Sequence, residues 1–157
     1  MTPRTLCEVV ERARLDPDWD HHLREFLDTF YAADGDRLAQ ASTVADDPGL
    51  LGDSRADAFL GGVGEHLARR WGLPLPGWVR HEARYLRSPL FVPDERSLRP
   101  YLICVSPVAF RVRLIFTGPD PLQRARFPYR RGAIRLPLDY PLPPGPPIAI
   151  AAAGDAR

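Results

Sequence analysis

Neither lysine nor asparagine occurs anywhere in the 157 residues, so all 21 basic residues are Arg. Both missing amino acids need A-rich codons, and their joint absence points to a GC-rich genome. Abundant Arg would otherwise suggest phosphate binding, because its planar guanidinium pairs bidentately with oxyanions, but here it has no competitor for basic positions. Cysteine is nearly as scarce. Cys7 and Cys104 stand alone without a CxxC or CxxH, which implies neither a disulfide framework nor a zinc site, and both read as small buried hydrophobes. The start, Met1 to Glu8, lacks the apolar core of a signal peptide, and the longest apolar run near the end, Ile148 to Ala153, is too short to cross a bilayer. A cytoplasmic, soluble protein is expected.

What is present fits one domain of ordinary size. The hydrophobic share of 45% and charged share of 26% are those of a globular chain, whereas 18 prolines are about twice the usual proportion. Many of them gather after Phe127. We therefore divide the chain into a helical domain, residues 1–126, and an extended or disordered Pro-rich tail, residues 127–157. A net charge of +1 conceals an asymmetry: residues 1–65 hold fourteen Asp and Glu against six Arg, while residues 66–157 hold fifteen Arg against six acids. Internal compensation is one reading of this; a charged surface presented to a partner is the other.

Hydrophobic periodicity places the helices. Phe59, Leu60, Val63, Leu67 and Trp71 follow the 3, 4, 7, 8 spacing of one helix face, with Asp53 or Ser54 to cap the start and Gly72, Pro74 and Pro76 to end it. Gly61, Gly62 and Gly64 lie inside this helix, each costing roughly 0.5–1 kcal/mol relative to Ala. Either another backbone packs closely there or the helix is irregular. Upstream, residues 5–15 read as a helix capped by Thr5, residues 19–33 as a second capped by Asp18, and residues 36–44 as a weaker third. Trp78 should anchor an extended Pro-rich crossing of the core. Residues 95–105 suit a helix or a buried strand, Ser106-Pro107 looks like a helix start, and Val112 to Thr117 alternates like a short strand. The expected fold is mostly α, with at most a short strand pair.

Constellations for chemistry are weak. Asp18, Asp20, His21 and His22 combine metal-ligating types, but adjacent histidines point about 100° apart on a helix and no HxxxH completes a face. No metal or cofactor is expected. Glu65-His66 and His81-Glu82 are possible acid/base pairs outside any catalytic motif, and the Gly61–Gly64 run lacks the strand and Lys-Ser/Thr of a phosphate loop. No catalytic residue is assigned. Trp19, Phe26, Phe30 and Tyr31 form an aromatic stripe in the acidic half, core at this spacing unless part of it is exposed, in which case it is a protein-binding ridge. Arg111, Arg113, Arg124, Arg126, Arg130, Arg131 and Arg135, interleaved with Phe116, Phe127 and Tyr129, could track a nucleic-acid backbone.

The run Asp57 to Val79, the run Leu98 to Arg111 with the Leu114 to Thr117 segment after it, and Leu23 to Tyr31 upstream carry a resemblance. Over roughly residues 20–125 the chain is similar to small actinobacterial proteins encoded beside nucleotidyltransferase toxins of the abortive-infection (AbiEii) type. The resemblance implies a non-enzymatic antitoxin that binds and neutralises a nucleotidyltransferase partner, with Trp19, Phe26, Phe30, Tyr31 and Trp78 as candidate contacts. It brings no catalytic residues. A nucleic-acid-binding accessory protein using the Arg-rich half is the alternative.

Overall fold

A computed structural model describes residues 1–124. It is mostly α-helical, as its sequence predicts: α1 Leu6–Leu15, α2 Trp19–Ala32, α3 Arg37–Ala45, α4 Ser54–Trp71, α5 Arg99–Val105 and α6 Val108–Arg111. Short 3₁₀ turns at Gly77–Arg80, Glu82–Arg84 and Arg96–Leu98 connect the later elements. β1 (Leu90–Phe91) and β2 (Ile115–Phe116) form a parallel pair with Leu90 opposite Ile115 and Phe91 opposite Phe116. The tail expected from Phe127 onward, and Arg126, Arg130, Arg131 and Arg135, lie outside the described residues.

The first four helices begin where a side-chain oxygen can take the free N–H groups of a first turn. Thr5, Asp18, Asp36 and Asp53 each accept such a bond. α4 stops at Gly72, whose φ of 62° is left-handed, and the N–H of Leu73 then returns to the carbonyl of Ala68 at 2.8 Å. Burial on α4 runs almost all round: from Ala56 to Ala68 only Phe59 is not fully buried. α4 is thus the axis of the fold. α1, α2 and α3 supply Leu6, Val9, Val10, Phe26, Phe30 and Val44 on one side, and residues 77–122 supply Trp78, Val79, Phe110 and Ile115 on the other.

The three glycines of α4 have a definite cause. The helix is continuous, and side chains fill the notch where a neighbouring backbone was expected. A Cβ on Gly64 would sit 2.6 Å from the Trp78 ring, one on Gly62 would sit 2.7 Å from the Phe110 ring, and one on Gly61 would meet Arg84 Cβ at 2.8 Å. Ring atoms of Trp78 and Phe110 and the aliphatic stem of Arg84 therefore lie close against the helix backbone. Gly64→Ala gains up to ~1 kcal/mol in helix propensity but overpacks a rigid buried indole, at a cost of about 1–3 kcal/mol. The clash wins. Thermal melts should place Gly64→Ala and Gly62→Ala below the parent, and leave Gly77→Ala, where a methyl meets nothing within 4 Å, unchanged.

Of the two readings open for residues 95–105 the structure has the helical one, a 3₁₀ turn followed by α5. Other local expectations are corrected. Pro107, not Ser106, occupies the cap of α6; the Ser106 hydroxyl donates to Leu102 O at 2.5 Å and receives the Thr117 N–H at 2.7 Å, tying α5 to the end of β2. The strand expected over 112–117 shrinks to two residues because Val112 to Leu114 form a turn, with Leu114 at φ 60°. Asp120 to Gln123 close as a turn (Gln123 N to Asp120 O, 3.2 Å). Cys104 is exposed, because α5 buries only Leu102, and Cys7 is half-buried with its thiol over the carbonyls of Asp46 and Asp47.

Candidate functional site

The aromatic stripe of α2 is core. Phe26, Phe30 and Tyr31 are buried: Trp71 at the end of α4 takes the Phe30 ring edge-on at 5.2 Å and stacks on the Tyr31 ring at 5.5 Å, and the Phe26 ring packs 6.1 Å from that of Phe30. Tyr31 Oη donates to Leu122 O at 2.6 Å, fastening the last described turn to α2. Trp78 is also buried, with its indole N–H on Val44 O at 3.0 Å. As partner contacts, Phe26, Phe30, Tyr31 and Trp78 are therefore corrected: their surface is already spent on the core. Trp19 alone keeps partial exposure, packed at 5.4 Å on Phe59.

The arginine cluster divides in the same way. Arg113 is 0% exposed and cannot reach a phosphate backbone. Its Nη1 donates to Glu65 Oε2 and to Ala109 O, both at 2.6 Å, and its Nη2 to Val79 O at 2.7 Å. Arg84, which no sequence signal singled out, is buried beside it, bonding Gly49 O at 2.7 Å and Asp57 O at 3.3 Å, with the Asp57 carboxylate 3.7 Å away. That carboxylate in turn accepts the N–H groups of Leu51 and Gly52 at 2.7 and 3.0 Å. Arg124 forms a bidentate pair with Asp28 (2.9 and 2.7 Å), which raises its pKa, and Arg111 Nη2 donates to Ser106 O at 2.6 Å past the end of α5. Of the described candidates, then, all three already serve internal acceptors.

Together Asp57, Glu65, Arg84 and Arg113 make a buried charged layer against the notched face of α4. Burial alone would raise the Glu65 carboxyl, but hydrogen bonds from Arg113 and Arg69 overcome it and hold the group below its ordinary value. His66 is pushed down to about 3, first by burial and then by the Arg70 charge, and its ring packs 5.7 Å from Phe110. His81 and Glu82 stand instead at the surface, where His81 Nδ1 accepts the Ala83 N–H at 3.1 Å. The structure does not bring the two candidate acid/base pairs into one environment. On the α2 start, His22 lies 3.5 Å from Asp16 and His21 lies 3.8 Å from Glu25; among the described residues no group of three metal-ligating side chains converges.

What remains for a partner is the surface. Glu11, Asp16, Asp18, Asp34, Asp36, Asp46, Asp47 and Asp53 are all exposed in the first half of the chain. Exposed large apolar side chains occur in both halves, Leu15, Leu38 and Leu50 in the first and Val92, Tyr101, Ile103, Val108 and Val112 in the second. Among the described residues no helix is long and apolar enough to cross a membrane. No protein-family model, curated protein or solved structure matches this chain.

Proposed function

We propose that the chain is a non-enzymatic, antitoxin-like protein that lays its acidic N-terminal half over the basic nucleotide groove of a nucleotidyltransferase toxin. The observation that carries this reading is the exposed acid of Glu11 in α1 and of the segments flanking α1 and α3, on a half-chain with fourteen Asp and Glu against six Arg. A groove that holds nucleotide phosphates needs positive charge, and an acidic cover competes for it directly. The resemblance over residues 20–125 supports the same partner class. The contact is electrostatic at its centre, with Trp19 the one aromatic of the α2 stripe left to join it.

The test is co-expression of a tagged copy with its adjacent reading frame, followed by affinity and size-exclusion chromatography. A stable complex is expected, and Glu11→Arg with Asp16→Arg, both at exposed positions, should weaken it at least tenfold at low salt. Elution of the tagged protein alone, a complex indifferent to both reversals, or normal growth when the toxin is expressed by itself would overturn the reading.

A further inference from the structure

The turn between α2 and α3 faces the end of α4 across an open cleft of about 400 Å³, a volume within the range of small-molecule sites. Asp34 in the turn and Arg37 and Gln40 in α3 line one side, and Arg70 and Trp71 line the other. The walls are tied together. Arg37 donates through Nη2 to Gly72 O, where a Cβ on Gly72 would come within 2.6 Å of that nitrogen, and Trp71 Nε1 donates to Asp34 Oδ1 at 3.3 Å. Behind them the Trp71 ring is held by Phe30 and Tyr31.

The innermost lining residue is Gln40, which is 0% exposed. Its Nε2 donates to Phe30 O at 3.3 Å, while its Oε1 has no hydrogen-bond partner among the described residues. A buried amide oxygen is costly to leave without a donor, so this atom marks where a donor from outside the chain is accommodated. Both signs of charge meet in the same space. Arg37 and half-buried Arg70 carry planar N–H forks suited to an oxyanion, whereas the Asp34 carboxylate and Gln40 Oε1 are acceptors for the N–H groups of a cation. The rest of the lining is the half-buried Trp71 indole and two residues without side chains, Gly35 and Gly72.

A simple carboxylate would satisfy the guanidiniums but bring no donor to Gln40 Oε1. A simple amine would reach Asp34 and Gln40 but meet two positive charges. One molecule carrying a carboxylate and an ammonium on the same carbon answers both. We propose that the cleft binds a free α-amino acid with an apolar side chain: its carboxylate on Arg37 and Arg70, its ammonium between Asp34 and Gln40 Oε1, and its side chain against the Trp71 indole. The inference does not depend on the toxin reading, since it is measured on the purified chain alone.

The full chain has three tryptophans, so proton–nitrogen correlation NMR follows three indole N–H signals. Titration with L-leucine or L-phenylalanine should shift the Trp71 signal to saturation, because the ammonium engages its acceptor Asp34. The Trp78 signal, from an N–H buried on Val44 O, should stay in place. Isocaproate and isoamylamine, each keeping one of leucine's two charges, should bind at least about tenfold more weakly. Asp34→Asn changes an exposed side chain and keeps an oxygen for Trp71, and it should weaken L-leucine about tenfold or more. Gln40→Met removes the buried acceptor at similar volume and should weaken it comparably, with an unmoved Trp78 signal reporting an intact core; Asp34→Asn decides the matter if that variant does not fold. No saturable shift at Trp71 with either amino acid overturns the proposal. So does binding of the lone acid or the lone amine as tight as that of L-leucine, or parent affinity in Asp34→Asn.

Discussion

Replacing Arg113 by Ala is expected to lower the unfolding free energy by about 3–5 kcal/mol, the range found when one member of a buried ion pair is removed. The side chain is fully enclosed and its two terminal nitrogens satisfy three acceptors from three places in the chain: the Glu65 carboxylate in α4, Ala109 O in α6, and Val79 O in the 3₁₀ turn. Its loss leaves Glu65 with Arg69 alone, at 2.8 Å, and two buried carbonyls without this donor. Removing both charges is a different change. Glu65→Leu with Arg113→Met avoids a stranded carboxylate and should recover about half of the loss, the remainder belonging to the carbonyls of Val79 and Ala109. Urea titrations of the parent, the single variant and the pair measure this. A loss under ~1 kcal/mol for Arg113→Ala would show that the layer contributes little beyond filling space.

Acidification should destabilise the fold earlier than ordinary carboxylate titration accounts for. His66 has a folded pKa of about 3 against 6.5 when free, so below pH 6.5 the unfolded chain takes up a proton that the folded chain refuses. For a depressed pKa the contribution is fully present above the unfolded value and is lost as pH falls towards the folded one. One pKa unit corresponds to ~1.4 kcal/mol, so the loss between pH 6.5 and about 3 is on the order of 5 kcal/mol. Glu65 acts with the same sign lower down: its carboxyl is also held below its ordinary value of 4.5, and its contribution disappears as pH drops beneath that point. His66→Leu should therefore flatten the stability profile between pH 6.5 and 4.5 and lessen, without abolishing, the steeper part below, to which Glu65 also contributes. An unchanged slope in that interval would place the acid sensitivity elsewhere.

The helical half was legible because its signals are local. Thr5, Asp18 and Asp53 cap helices where short polar residues precede apolar periodicity, and Gly72 ends α4 where a left-handed residue is needed. The core character of Phe26 and Phe30 also followed from spacing, although their partner Trp71, some forty residues on, did not. The charged layer was hidden for a physical reason. Arg113 and Glu65 are 48 residues apart, and nothing in the run Val112-Arg113-Leu114 distinguishes a buried guanidinium from a solvated one. Arg113 accordingly looked like a phosphate ligand. The glycines of α4 announced a close approach without naming its occupants, because Trp78, Arg84 and Phe110 arrive from three separate segments. The pairing of β1 with β2 rests on two residues in each strand, too few for alternation to register.

The close seating of Trp78, Arg84 and Phe110 on the glycines of α4 also bears on how this chain can change over generations. A groove with no side-chain cushion has no slack, so enlargement at Gly61, Gly62 or Gly64 requires a simultaneous reduction in the side chain that lies opposite. Paired replacements are improbable steps. Single viable replacements should therefore accumulate on the outward sides of the helices packed around α4, where the core sets no limit on size, and a reshaped outer surface can be explored without disturbing the axis that supports it.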